Sequence, residues 1–333
     1  MSQPLSSDWR RVPVLVTGAD GFIGSWLAER LVDEGAEVVI LKRDRPALSR
    51  LRIEQIEQRC TVAQGDLSDH NELLRVLNEY AIETVFHLAA QAIVAVANRS
   101  PLSTFETNVR GTYNLLEAAR LAPTVQRVVV ASSDKAYGAH EELPYREDAK
   151  LQPRFPYDTS KAAADLIARS YAETYGLAVA VTRLANVYGG GDFNYSRLVP
   201  ETIRAILAGE APVIRSDGTP ERDFIYVPDA VDAYLAIAAG LTDPVNRGMA
   251  FNAGAGRPWA VIEIVRTVLE VAGSDLQPDI HGSGTPDGEI DRQYLDSTLI
   301  NERLGWRPSW SLADGLAETF AWYERVLPAV ATR

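Results

Sequence analysis

Short runs of consecutive apolar residues punctuate the first half of the chain, separated by longer stretches in which apolar residues recur at helical spacing. The runs VPVLVTG, AEVVILK, ETVFHLAA and RVVVASS read as strands, while GSWLAERLVDEG and TFETNVRGTYNLLEAARL read as amphipathic helices. Near-continuous hydrophobicity is what burial on both faces of a sheet demands. Its alternation with helical segments predicts βαβ units, and hence an α/β, doubly wound parallel sheet with helices on both faces. A long helix is predicted from near Tyr157, followed by one further strand, LAVAVTRLANVYG. Beyond Gly189 the pattern loosens into Gly- and Pro-containing loops between shorter elements. The expected division is therefore a first domain over 1–188 and a smaller α/β region over 189–333, with segments at about 222–240 returning to the first. No repeat, low-complexity tract or charge block marks a linker, so the two regions are expected to pack together.

Composition narrows the field. The 333 residues are 46% hydrophobic, ample for a core. Thirty-three basic against 45 acidic residues leave a net charge of -12, which argues against a nucleic-acid partner, since phosphate backbones need concentrated positive charge. Any bound phosphate must be met locally. The single cysteine, Cys60, excludes an internal disulfide framework and suits a reducing compartment, with cytoplasm the default expectation. The opening residues MSQPLSSDWRR hold no long apolar stretch, and no later run reaches bilayer-spanning length, so a soluble, unprocessed chain is expected. None of the four histidines has metal-ligand spacing, and His87, at an apolar strand end, reads as structural.

Three local features carry chemistry. In VLVTGADGFIGSWLAERL, Gly18, Gly21 and Gly24 lie between a strand and a helix, where a tight turn lets backbone amides at the helix N-terminus approach a pyrophosphate. This is a Rossmann-type dinucleotide loop with GxxGxxG spacing. At the end of the second strand, beside the adenosine ribose, stand Lys42 and Arg43. A cationic pair suits a 2′-phosphate and leans toward NADP, while the following Asp44 keeps NAD open; Asp66 and Leu67 are candidates for the adenine side. In FPYDTSKAAADL, Tyr157 and Lys161 are four residues apart and share a helix face, where a nearby ammonium would favour a phenolate base. Finally, the strand RVVVA runs into SSDKAYG, placing Asp134 and Lys135 at a strand end, either as a solvated ion pair or as an acid and a base.

The order VTGADGFIGSWL, HLAAQA, TNVRGTYNLLEAAR, SSDKAYG, YDTSK, RLANVYG and RDFIYVPDAVDA resembles the extended short-chain dehydrogenase/reductase family, specifically its nucleotide-sugar epimerases and dehydratases. The resemblance covers nearly the whole chain. It implies an NAD(P)-binding Rossmann domain, a substrate-binding C-terminal region, and a homodimer through helices near residues 103–119 and 157–174. It also implies a nicotinamide cofactor that is retained and recycled, held by Gly18, Asp20, Gly21, Phe22, Ile23, Gly24, Leu88, Ala89, Ala90, Asn108, Tyr157 and Lys161. Tyr157 would take the carbon 4 hydroxyl proton, Ser133 would hydrogen-bond that oxygen, and Lys161 would hold the nicotinamide ribose.

Epimerases, dehydratases and decarboxylases share oxidation at carbon 4, and the strand-end motif separates them. Epimerases of this family carry small uncharged residues after the serine. A 4,6-dehydratase must also remove the carbon 5 proton and expel hydroxide from carbon 6, which needs an acid. Asp134 matches the family's acid and would need a raised pKa. Lys135 stands where many dehydratases carry glutamate as base; the Asp-Lys pair resembles dehydratases of the CDP-glucose and UDP-N-acetylglucosamine types, and other motifs lean toward the CDP-glucose branch. It is either a neutral base or a cation stabilising the enolate. Ile23 departs from that type, which has lysine before the third glycine. For the nucleotide diphosphate the resemblance implies Asn186, Arg222 and Arg292, with Leu198, Val199 and Pro200 lining the base pocket and Gln91 and Asn194 near the sugar. The expected function is thus an NDP-hexose 4,6-dehydratase, with a 4-epimerase of the same fold as alternative and a non-catalytic dinucleotide sensor as a third.

Overall fold

Six strands from the first part of the chain, β1 (Pro13–Thr17), β2 (Glu37–Lys42), β3 (Thr61–Gln64), β4 (Thr84–His87), β5 (Arg127–Ala131) and β6 (Val179–Leu184), lie in one sheet. A seventh, Ala250–Ala253, joins beside β6. The order across the sheet is Ala250–Ala253, β6, β5, β4, β1, β2, β3, and every pairing is parallel. This is a computed structural model, and it describes residues 8–284 and 290–331.

Successive strand residues point to opposite faces, and two cores result. Val14, Val16, Ile40, Phe86 and Val129 pack on one side, and Leu15, Val39, Val85, Val128 and Val130 on the other. Burial on both faces explains why these strands are legible as apolar runs. The edge strand β3 is the exception: Thr61, Val62 and Gln64 are exposed and only Ala63 is buried.

The helices begin and end on residues suited to those positions. Asp69 caps His70–Glu79, its carboxylate accepting from the amides of Asn71 (2.9 Å) and Glu72 (3.2 Å). Pro156 opens Pro156–Tyr175, and Gly176, at φ 69°, closes it. Gly18 needs φ 76°, and a Cβ there would fall 2.6 Å from the Ala89 nitrogen. A Cβ on Gly24 would fall 2.2 Å from the Gly18 carbonyl oxygen, so strand, turn and helix close tightly.

The stretch LAVAVTRLANVYG, read above as one strand, is two. β6 ends at Leu184, and after the Ala185 amide donates to Ala253 O (3.1 Å) the chain changes sheet. Asn186–Tyr188 then pairs with Glu221–Tyr226, the centre of a smaller sheet that also holds Pro258–Ala260 and Arg292–Gln293. The helix Val227–Gly240 packs on β5 and β6 and against the helix Phe22–Asp33. No helix among the described residues is long and apolar enough to cross a membrane.

Candidate active site

Strand order reverses between β1 and β4, and such a reversal opens a crevice at the carboxyl ends of the strands. A cleft of about 1830 Å³ lies there. Its walls include Gly18, Asp20, Gly21, Phe22, Ile23 and Gly24 from the glycine turn, Lys42 and Arg43 after β2, Asp66 and Leu67 after β3, and Leu88 to Gln91 after β4. Ser133, Asp134, Lys135, Tyr157 and Lys161 complete the same walls, with Asn186, Asn194, Leu198, Val199, Pro200 and Arg222 from the second region.

Two expected contacts are not on the cleft wall. Asn108 is buried behind it, where its amide nitrogen donates to Gln91 O (3.1 Å) and Ser160 Oγ (2.8 Å) and its oxygen accepts from Gln91 N (2.7 Å). These bonds tie it to the loop after β4 and to the helix Pro156–Tyr175. Arg292 pairs with Glu221 and lies over the Tyr294 ring at 5.1 Å, outside the cleft. It stands on the short strand Arg292–Gln293 of the second sheet.

The cations after β2 are also committed differently from the expectation. Lys42 is only 6% exposed, with Nζ 3.0 Å from Asp20 and 2.9 Å from Glu57. Arg43 lies 2.6 Å from Asp44 and 3.8 Å from Asp66. The segment after β2 therefore pairs each cation with carboxylates. The glycine turn does fit a dinucleotide: its residues leave no room for side chains, and the helix Phe22–Asp33 begins at the cleft wall, offering its first amides there. Asn114 holds the Asp66–Leu67 turn in place through Leu67 O at 2.8 Å.

At the end of β5, Asp134–Tyr137 form a 3-10 turn capped by Ser133, whose hydroxyl accepts from Lys135 N (3.2 Å) and donates to Asp134 Oδ1 (3.0 Å). Asp134 is 3% exposed, and its Oδ2 is buried with no hydrogen-bond partner. Burial raises its pKa, opposed by the Lys135 charge, the Ser133 hydrogen bond and the Arg222 charge. Tyr137 anchors the turn from below. It donates to Asn252 Oδ1 (2.7 Å) and accepts from Arg183 (2.8 Å), which forms a buried two-pronged pair with Asp165 (2.8 and 3.0 Å).

Burial pushes Tyr157 up to about 12, opposed first by the charge of Arg197. The cation expected to act on Tyr157 was Lys161. Its Nζ instead donates to Ala131 O at 2.8 Å, and burial lowers its pKa to about 8. Arg197, 2.9 Å from Asp192 and on the cleft wall, was not found by sequence reading; its only signal was its place just before Leu198–Pro200. Asp158 was also missed. It lines the cleft, is 9% exposed, and burial raises it to about 6, opposed by Lys135 and reinforced by Asp134. His87 is structural: its ring bonds Thr17 Oγ1 (2.8 Å) and Thr112 Oγ1 (3.0 Å), and burial lowers it to about 3, so it is neutral.

The chain is 34% identical to a UDP-glucose 4-epimerase of Mycolicibacterium smegmatis over 93% of its own length and 97% of that protein's. It is 31% identical to a CDP-glucose 4,6-dehydratase of Salmonella typhimurium, covering 95% and 91%. The solved dTDP-glucose 4,6-dehydratase of Streptomyces venezuelae, with NAD bound, superposes with a TM-score of 0.85 at 31% identity, over 96% of this chain and 98% of that one. A family model described as GDP-mannose 4,6 dehydratase matches residues 15–319, and the chain belongs to that family of extended short-chain dehydrogenases/reductases.

Proposed function

We propose that the protein is an NAD(P)-dependent NDP-hexose 4,6-dehydratase, converting a nucleotide-diphospho-hexose to its 4-keto-6-deoxy form. The observation that carries this is Asp134, a fully buried carboxyl with raised pKa on the wall that also holds Tyr157 and Lys161. A carboxyl whose burial favours its protonated form can deliver the proton that makes the carbon 6 hydroxyl a leaving group. A 4-epimerase has no such step. A bound NAD(P) would supply the hydride acceptor for carbon 4 and the donor for carbon 6. Tyr157 would take the carbon 4 hydroxyl proton and Ser133 would orient that oxygen, while Lys161, whose Nζ donates to Ala131 O, would hold the nicotinamide ribose with its remaining N–H groups. Asn186, Arg222 and the Leu198–Pro200 segment, all on the cleft wall, support a role in holding the nucleotide, with Gln91 and Asn194 nearer the sugar.

For the cofactor we infer NAD over NADP, because Lys42 is already neutralised by Asp20 and Glu57, and added phosphate charge would meet Asp44 and Asp66 beside Arg43. Mass spectrometry of the nucleotide released on denaturation tests this; NADP as the released species would overturn it. A homodimer and a cytoplasmic setting complete the reading. Burial pushes the lone Cys60 thiol up to about 11, which makes it an unreactive side chain in a reducing compartment.

The test of the reaction is incubation with CDP-, UDP-, GDP- and dTDP-hexoses. The expected product of one of them is a 4-keto-6-deoxy sugar nucleotide. The epimerase reading, favoured by the 34% identical relative, predicts only a carbon 4 epimer and an Asp134→Asn variant of nearly intact turnover. A non-catalytic dinucleotide sensor would lose nothing on Tyr157→Phe.

A further inference from the structure

We propose that the Asp158 carboxylate is the base that removes the carbon 5 proton, and that Lys135 acts as the cation that stabilises the resulting enolate. This rests on the dehydratase reading and assigns the half of its chemistry that Lys135 left open.

The geometry starts from Tyr157. If Tyr157 serves the carbon 4 oxygen, the base must reach an atom one bond away from carbon 4. Asp158 follows Tyr157 directly in the first turn of Pro156–Tyr175, so the two side chains leave the helix from adjacent positions, and both reach the cleft wall. A helix of this length normally turns an Asp at its third position toward solvent, where it meets the positive end of the dipole. Here the side chain is 91% buried against the cleft and held beside the Ser133–Tyr137 turn. Among the described residues, neither Asp158 nor Lys135 is spent in an ion pair at contact distance.

Burial raises both carboxyls, and their placements differ: Asp134 sits in the turn after β5, Asp158 in the first turn of Pro156–Tyr175. Asp134 is enclosed on all sides and raised, which suits the acid; Asp158, at about 6, is ionised at neutral pH yet more basic than an ordinary carboxylate, which suits the base. Lys135 is the cation acting on both.

The step balances. With carbon 4 already a ketone, the carbon 5–hydrogen bond breaks toward Asp158, and its electron pair forms the enolate opposite Lys135. That pair becomes the carbon 5–carbon 6 double bond as the carbon 6–oxygen bond breaks, with the Asp134 proton leaving on the hydroxide as water. After carbon 6 is reduced, Asp158 returns its proton to carbon 5. The proton taken earlier by Tyr157 replaces, through solvent, the one Asp134 gave.

The experiment uses the full-length protein with its bound cofactor and the sugar nucleotide that the wild type dehydrates, in deuterated water. Absence of any 4-keto-6-deoxy product from the wild type would count against the dehydratase reading itself. With a competent wild type, Asp158→Asn is expected to form the 4-keto-hexose, trapped and identified by mass spectrometry, while product and deuterium at carbon 5 fall by about 100-fold or more. Asp158→Glu should restore part of the exchange, which a purely structural role would not. Lys135→Met, measured alongside, should keep exchanging carbon 5 at a reduced rate, and this variant decides the matter even if Asp158→Asn fails to fold. Wild-type exchange in Asp158→Asn, or loss of exchange in Lys135→Met, would overturn the proposal.

Discussion

Lys161 shows how a single buried side chain trades stability for chemistry. Burial lowers it to about 8 from its usual 10.5. The folded state therefore binds fewer protons than the unfolded chain between those two values, and stability rises with pH across that window. Below about 8 the ammonium is buried in both its charge and its cost. Lys161→Met is accordingly expected to raise the urea midpoint at pH 7, with the gain shrinking as pH climbs toward 10, while turnover is lost; a lower midpoint at pH 7 would contradict the assignment. Tyr157→Phe removes the proton acceptor at carbon 4 and should lower kcat by about 10²- to 10⁴-fold, with nucleotide-sugar binding by calorimetry little changed. Asp134→Asn keeps the shape of the turn but not the acid. Its 4-keto-hexose should accumulate where the wild type releases 4-keto-6-deoxy product, and equal product from both would remove Asp134 from the mechanism.

At the scale of elements, the turn that carries Ser133 to Tyr137 is only as well placed as what lies beneath it. Tyr137 is gripped by Asn252 from the strand Ala250–Ala253 and by Arg183 from β6, and Arg183 is balanced by Asp165 from Pro156–Tyr175, both fully buried. Breaking a buried pair leaves an uncompensated charge, so Asp165→Asn should cost about 3–5 kcal/mol in chemical denaturation. A loss below 1 kcal/mol would mean that the Tyr137 and Glu147 contacts of Arg183 suffice alone. This layer was invisible in the sequence because its members come from three separated segments. What was legible were the strands β1, β2, β4 and β5, whose burial on both faces writes itself as apolar runs, and the glycine turn, whose spacing is forced by the close approach of Gly18 and Gly24. The edge strand β3 was not, since its side chains are mostly exposed. The break after Leu184 was not, because apolar character runs on through Ala185 while the pairing partner changes. Lys42 and Arg43 were visible as cations, but Glu57, which neutralises Lys42, lies fifteen residues away in a turn with no pattern of its own. Asp158, beside Tyr157, carries no signal in the sequence that sets it apart from an ordinary helix-start aspartate.

For the whole molecule, the proposed homodimer draws on the helices that flank the cleft. Gly111–Leu121 and Pro156–Tyr175 pack together over one face of the sheet, and they leave Tyr113 41% and Leu166 55% exposed, with Leu102 at 73% on the preceding segment. Large apolar side chains at such exposure on adjoining helices are what an interface between copies would cover. Because Pro156–Tyr175 also carries Tyr157, Asp158 and Lys161, covering its outer side would steady the end that faces substrate, and dimer formation and turnover should move together. Light scattering is expected to give twice the chain mass for the wild type. Tyr113→Lys combined with Leu166→Glu, two exposed positions that do not line the cleft, should shift that mass to one chain and lower the unfolding midpoint, through loss of the linkage between association and folding. A wild type that scatters as a single chain at micromolar concentration would end the dimer proposal, and would leave the cleft chemistry to be carried by the monomer alone.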